Sequence, residues 1–232
     1  MKPKAFQFKN FALEHSKSAH KIGTDGILLG AWTKGPAKKI LDFGSGCGLI
    51  SFILAQRFPQ AKIHGLEIDP ASFEESLNNL EQFALQNRIS FKQADLFDLV
   101  DQPRFDLIVS NPPFYSEDTQ SPEGRRAQAR SGSVLDMIRK LPELLTPEGR
   151  IALVLPLQEW TRLSREILSL GLHPQRLAWV RHSENKDLKR ILVELAREPQ
   201  ELLEEEIILH LPNSILRHPD YQALVKDLLL DQ

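Results

Sequence analysis

From Lys39 onward the chain alternates short runs rich in β-formers with stretches of helical period. That alternation restricts it to βαβ units around a mostly parallel sheet, with helices on both faces. Strands are predicted at Lys39–Phe43, Lys62–Leu66, Ile89–Lys92, Phe105–Ser110 and Arg150–Leu155. Helices are predicted around Leu49–Phe58, Ala71–Gln86, Val134–Leu145 and Leu157–Leu170. Pro147, Glu148 and Gly149 form the turn into the fifth strand, and Gly171 stops the helix before it. Two further runs, Arg176–Arg181 and Arg190–Ala196, are joined by a polar segment, Ser183–Lys189, too short for a crossover helix. They must pair antiparallel. The expected sheet has seven strands, mostly parallel with one antiparallel.

With 232 residues and 41% hydrophobic content, the chain suits one domain. Residues 1–38 form an N-terminal motif segment, 39–197 the core and 198–232 a C-terminal extension. The longest apolar stretch, such as Ile151–Leu157, is far below the roughly 20 residues that span a bilayer. No basic tip followed by an apolar run marks a secretory signal, so a soluble, cytoplasmic protein is expected. Cys47 has no partner for a disulfide, and no spacing suggests a metal site. A net charge of −2 argues against a surface that is basic throughout. Before Ile40, however, eight lysines face only Glu14 and Asp25, whereas Glu201–Glu206 is an acidic run. This asymmetry permits a basic face; solvated lysines without a partner are the alternative.

The first strand runs into Asp42-Phe43-Gly44-Ser45-Gly46-Cys47-Gly48, a glycine-rich turn that opens a helix and lets backbone approach a ligand. Its spacing departs from the dinucleotide pattern G-x-G-x-x-G and resembles the methyltransferase motif D-x-G-x-G-x-G. Five parallel strands closed by an antiparallel hairpin also resemble the Rossmann-like, class I fold of enzymes using S-adenosyl-L-methionine (AdoMet). That cofactor needs partners for an amino-acid tail, a ribose diol and an adenine. Glu67, about 20 residues past the glycines, suits the ribose hydroxyls, with Asp69 as the alternative. Asp95 stands where this class binds the adenine amino group, and Leu96 could pack on the adenine face. Each acid taken singly could instead be a helix cap or a solvated carboxylate.

The fourth strand ends in Asn111-Pro112-Pro113-Phe114. This resembles the (N/D)-P-P-(Y/F) signature of amino methyltransferases; ending a strand is the bland reading of such a Pro-Pro pair. An exocyclic amino nitrogen is a poor nucleophile because its lone pair is delocalised into the ring. The Asn111 side-chain oxygen and the Pro112 carbonyl offer two acceptors that could hold both N–H bonds and aim the lone pair. The prolines restrict their neighbours to extended backbone and offer no competing N–H. Phe114 would stack on an unstacked base. Such motifs occur in enzymes acting on adenine N6 of DNA or RNA, guanine N2 of ribosomal RNA, and a glutamine amide of a protein.

Lys21-Ile22-Gly23-Thr24-Asp25-Gly26-Ile27-Leu28-Leu29-Gly30-Ala31-Trp32 narrows this choice, because it resembles the K-x-G-T-D-x-x-L-L-G-A-W block of bacterial tRNA1(Val) adenine-N6 methyltransferases. Phe6–Phe11, Ala129-Arg130 and the ending Pro219–Leu228 carry the resemblance over nearly the whole chain. It implies an RNA substrate, the adenine adjoining the anticodon, and AdoMet as donor. By the same resemblance Thr24 and Asp25 lie beside the methionine end of the donor; an N-cap for a helix Ile27–Trp32 is the alternative. Residues 1–38 leave no room for the separate domain that glutamine methyltransferases carry before the glycine loop. Arg125, Arg126, Arg130, Lys186, Lys189 and Arg190 are candidate phosphate contacts, with plain solvation as their alternative, and Arg190 could belong to the last strand. Tyr115–Gly132 reads as a mobile loop. The acidic Glu201–Glu206 region and the tail from Leu211 depart from an RNA-binding pattern and read as a solvated face followed by an ending helix, and the protein reads as a monomer without metal.

Overall fold

The computed structural model describes residues 5–99, 104–112 and 133–230. Its elements run β1 (Phe6–Gln7), β2 (Ala12–Leu13), α1 (Thr24–Trp32), β3 (Lys39–Phe43), α2 (Leu49–Arg57), β4 (Lys62–Glu67), α3 (Pro70–Glu81), β5 (Ile89–Gln93) and β6 (Phe105–Ser110). They continue α4 (Val134–Lys140), β7 (Leu145–Pro156), α5 (Leu157–Ser169), β8 (His173–Arg181), β9 (Leu188–Ala196), β10 (Leu203–Ile208) and α6 (Pro219–Val225).

Strands β3 to β10 form one sheet in the order β10-β8-β9-β7-β6-β3-β4-β5. Every neighbouring pair is parallel except those made by β9, which runs antiparallel to β7 and β8. The sheet thus has eight strands where seven were expected. The extra one is β10, built partly from the acidic run that reads as solvated. Its glutamates are partnered: Glu205 accepts from Trp32 Nε1 at 2.7 Å and from Arg176 at 3.1 Å, and Glu204 accepts from Trp179 Nε1 at 2.7 Å. Glu206 pairs with Arg181 at 2.8 Å. Charge on an edge strand also blocks pairing with another chain.

Alternation along the strands sends residues to two cores. From β7, Ala152 and Val154 join Ile40, Ile63 and Val109 under α1 and α2, whereas Ile151, Leu153 and Leu155 join Leu41, Ile108 and Val193 under α4 and α5. Burial on both faces explains why these strands read as continuous apolar runs. Two glycines set the spacing of α1 on α2. A Cβ at Gly26 would stand 2.7 Å from Leu49 Cδ2, and one at Gly30 would stand 2.8 Å from Ile53 Cγ2. A Cβ at Gly30 would press on the branched Ile53 and push the helices apart, whereas one at Gly26 would displace the end of Leu49.

Helix boundaries shift for local reasons. α3 starts with Pro70 behind the cap Asp69 and ends at Glu81, five residues before the predicted end, where Phe83 turns onto Phe52 at 5.6 Å. α4 stops at Lys140 because Pro142, lacking an N–H, converts the next turn to a 3-10 helix. β7 begins at Leu145, and its pairing with β6 shifts between Phe105 and Leu107, which absorbs the Pro147–Gly149 turn. Among the described residues no helix is long and apolar enough to cross a membrane.

Candidate active site

The strand order reverses between β3 and β6, the position at which open α/β sheets leave a crevice at their carboxyl ends. A cavity of about 1600 Å³ opens there, above the roughly 300–1,000 Å³ typical for one small ligand. Its wall includes Thr24, Asp25, Gly44, Ser45, Gly46, Glu67, Asp95, Leu96, Asn111 and Pro112. Residues distant in sequence and singled out by motif therefore share one space.

On the β3–β5 side, Gly44, Gly46 and Gly48 have φ of 72°, 54° and 92°, the left-handed region that side chains disfavour. A Cβ on Gly44 or Gly46 would meet nothing within 4 Å, so the loop borders open space. Gly48 instead serves packing, for a Cβ there would stand 2.8 Å from Phe91 Cζ, and it is not on the wall. Glu67 Oε2 accepts from the Gly46 N–H at 2.7 Å and Oε1 from the Asp69 N–H at 2.8 Å. Each carboxylate oxygen is thereby aimed while keeping a second lone pair. Burial pushes the Glu67 pKa up despite these donors. Asp69 is occupied as the cap of α3, accepting from Ser72 N and Oγ. Asp95 accepts from the Phe97 N–H at 3.0 Å, and Leu96 is 1% exposed and packed in the core.

Asp42 lies beneath the loop rather than on the wall: it is fully buried, and burial raises its pKa to about 7. Its Oδ2 accepts from Ser51 Oγ at 2.6 Å, while Oδ1 and the neighbouring Ser45 Oγ are buried without a hydrogen-bond partner among the described residues. The unpartnered Ser45 Oγ, on the wall beside the glycine cradle, suits a ligand carrying N–H and O–H donors, as AdoMet does. Asn111 and Pro112 follow β6, held beside β3 by Ser110 Oγ donating to the Phe43 carbonyl at 2.8 Å. Pro113, Phe114, Arg125, Arg126, Arg130 and the Tyr115–Gly132 segment lie outside the described residues.

Thr24 and Asp25 stand inside the first turn of α1, whose N-cap is Gly23, so neither is the cap. Asp25 pairs with Arg190 of β9 at 2.5 Å, which makes Arg190 a partnered strand residue rather than a free cation.

Comparison with known proteins gives this geometry a family. Residues 8–162 match the methyltransferase small domain model. A tRNA1(Val) (adenine(37)-N6)-methyltransferase of Vibrio campbellii is 36% identical over 211 residues, covering 89% of this chain and 88% of the relative. Relatives of the same name share 41% identity in Porphyromonas gingivalis, covering 82% and 79%, and 37% in Parabacteroides distasonis, covering 97% of each. The chain belongs to the tRNA1(Val) (adenine(37)-N6)-methyltransferase family. Solved structures agree on the fold: a predicted O-methyltransferase from Agrobacterium tumefaciens matches with a TM-score of 0.66 at 20% identity, over 88% of this chain and 96% of that one.

In this family member, sequence reasoning missed the clamp that closes one wall. On α3, Ser72, Glu75, Ser76 and Asn79 are buried polar residues at i, i+3, i+4 and i+7, where a core-facing stripe would be apolar. Glu75 accepts from Lys17 N, Ser18 N and Ser18 Oγ at 2.9, 2.8 and 2.5 Å. Asn79 accepts from Glu14 N and donates to the Cys47 carbonyl, both at 2.9 Å, tying the N-terminal segment to the glycine loop. Lys21 Nζ donates to the carbonyls of His15, Ser16 and Ser18 at 2.9, 2.7 and 3.1 Å. The polar stripe was the available signal. Its partner lay some 60 residues away, which periodicity does not reveal.

Proposed function

We propose that this chain methylates N6 of the adenine at position 37, adjoining the anticodon, in valine tRNA, the reaction named for its relatives. One observation carries the reading: Asn111 and Pro112 border the same cavity as the glycine loop and Glu67. When bound, AdoMet supplies a methyl carbon attached to a positively charged sulfur, an activated electrophile. Glu67 would accept hydrogen bonds from the two ribose hydroxyls, and the Gly44–Gly46 turn would receive the amino-acid tail, with Ser45 Oγ as partner and Asp42 supporting the loop from below. Asp95 would accept from the adenine amino group, Leu96 would back that ring, and Thr24 and Asp25 would border the methionine end.

Asn111 Oδ1 and the Pro112 carbonyl accept both N–H bonds of the target amino group, pulling its lone pair out of conjugation. Neither acceptor is a base, so the chain contributes orientation, and the surplus proton leaves to water. Pro113, Phe114 and Arg130 are assigned from sequence alone to stiffening the motif, stacking on the base and holding a phosphate. We further propose that the chain works as a cytoplasmic monomer, without metal and as a single functional unit.

The experiment is label transfer. Incubated with labelled AdoMet and separate pools of tRNA, ribosomal RNA, DNA and protein, the chain should label tRNA, and nuclease digests should yield N6-methyladenosine. Label recovered only in protein, as N5-methylglutamine, would reject the reading.

A further inference from the structure

The cavity wall continues past Asn111 along the carboxyl ends of β8 and β10 and the start of β9, where His182, Lys189, Arg190 and His210 line it. The rings of His182 and His210 meet at a tilt of 36°, with centroids 4.5 Å apart. Arg217 contacts His210 Nε2 at 2.6 Å. A guanidinium only donates, so Nε2 accepts and the ring proton sits on Nδ1. That Nδ1 is buried and has no hydrogen-bond partner among the described residues. Burial, then Arg217 and His182, hold the His210 pKa below its usual value, consistent with a neutral ring. A buried N–H donor on a cavity-lining residue lacks an acceptor, and an incoming oxygen would complete it. Arg217 makes no ion pair among the described residues, and Lys189 is exposed and also without one.

These groups root a hairpin. The His210 N–H bonds the His182 carbonyl at 2.9 Å, the His218 N–H bonds the Leu209 carbonyl at 3.0 Å, and His210 pairs with Arg217 as an antiparallel bridge. The tip is internally fixed. Leu211 N–H bonds the Leu216 carbonyl at 3.0 Å, Leu216 N–H bonds Ser214 Oγ at 3.0 Å, and Asn213 takes a φ of 54°. Yet this fixed tip presents Ile215 at 92% and Leu216 at 63% exposure. A braced loop that holds two apolar side chains in water, on a root whose Arg217 lies over the Tyr221 ring without an ion-pair partner among the described residues and whose His210 keeps an unfilled donor, has the chemistry of a single-stranded RNA contact, where phosphates alternate with bases.

We propose that the hairpin of residues 209–218 is an RNA-contacting arm: its root, His210 and Arg217 with neighbouring Lys189, seats a backbone phosphate at the cavity mouth. Its tip, Ile215 and Leu216, packs on a nucleotide flanking the methylated one. This rests on the RNA reading above. An apolar filler next to an extruded base offsets part of the unstacking cost.

The test uses the full chain and an anticodon stem-loop RNA. The double variant Lys189→Gln/Arg217→Gln should weaken RNA binding about tenfold at low salt and reduce the slope of log K against log salt by about 0.7 for each phosphate-neutralising cation removed. The exposed tip variant Ile215→Ser/Leu216→Ser should raise the KM for RNA severalfold with an unchanged salt slope. AdoMet affinity should stay at the wild-type value in both variants, and the melting temperature should stay there in the tip variant. RNA binding and salt slopes equal to wild type in both variants would overturn the proposal, as would losses that merely track weaker AdoMet binding. Because the arm is read by RNA binding and the proposed function by label transfer, the two fail separately.

Discussion

The two sides of the cavity differ in charge as their proposed occupants do. On the β3–β5 side the wall carries the carboxylates of Glu67, Asp69 and Asp95, with Asp42 beneath the loop, alongside His20 and a Lys21 whose ammonium donates to three backbone carbonyls. Beyond β6 the wall carries Lys189, Arg190, His182 and His210, with Arg217 behind. AdoMet brings a sulfonium and an ammonium group; RNA brings phosphates. The topological reversal between β3 and β6 thus separates the proposed cofactor site from the proposed RNA site, with Asn111 at the seam. Rigidity differs too. Glu67 is fixed by two short hydrogen bonds, whereas Lys189 is left exposed, as suits recognition of a flexible strand.

The seam should give the largest effect. Asn111→Ala removes an acceptor proposed to act on the reacting nitrogen, so turnover on tRNA should fall about 100- to 1,000-fold. AdoMet affinity by titration calorimetry should change less than about twofold, since the other cofactor groups remain. A matching loss of AdoMet affinity would mean that Asn111 belongs to the cofactor side, and the division would need redrawing.

Next comes Glu67→Ala, which deletes the proposed ribose acceptor and strands the Gly46 and Asp69 N–H groups. AdoMet should bind about 10- to 100-fold more weakly while RNA binding in its absence is unchanged. An equal loss of RNA affinity would break the comparison.

A third prediction concerns pH. Asp42 titrates near 3.8 when unfolded and at about 7 when folded, because burial disfavours its charged form. The folded chain therefore binds more protons than the unfolded one between these values. The contribution is full below about 3.8 and is lost as pH rises towards 7. Asp42→Asn should flatten the melting temperature between pH 4 and 7, with the mutant gaining on the wild type as pH rises. Parallel curves would show that Asp42 does not titrate there.

The cofactor side was the more legible side in sequence, and the reason is physical. Glycines with positive φ and a strand-ending carboxylate impose a short-range pattern, so Gly44–Gly48 and Glu67 were identifiable without tertiary information. On the other wall Lys189 and Arg190 were named from sequence, whereas His182, His210 and Arg217 were not, because what brings them there is long-range. Glu204, Glu205 and Glu206 look solvated until Trp179, Trp32, Arg176 and Arg181 come alongside, and only then does an eighth strand exist to carry His210 to the wall. Asp42 shows the converse limit. The motif that names it is local, yet whether it lines the cavity depends on how the loop lies above it.

The smallest expected effect tests whether the two sides communicate. Asp25 of α1 and Arg190 of β9 both line the cavity and bridge it at 2.5 Å, with 29% and 43% of their side chains exposed. An ion pair so exposed should contribute under about 1 kcal/mol to stability, so neither Asp25→Asn nor Arg190→Gln should shift the melting temperature by more than a few degrees. Kinetics should separate them instead: Asp25→Asn should raise the KM for AdoMet severalfold, and Arg190→Gln the KM for tRNA. If each substitution raised both constants equally, the pair would be a brace that sets the width of the whole cleft. The boundary between cofactor site and RNA site would then run through this ion pair rather than along Asn111.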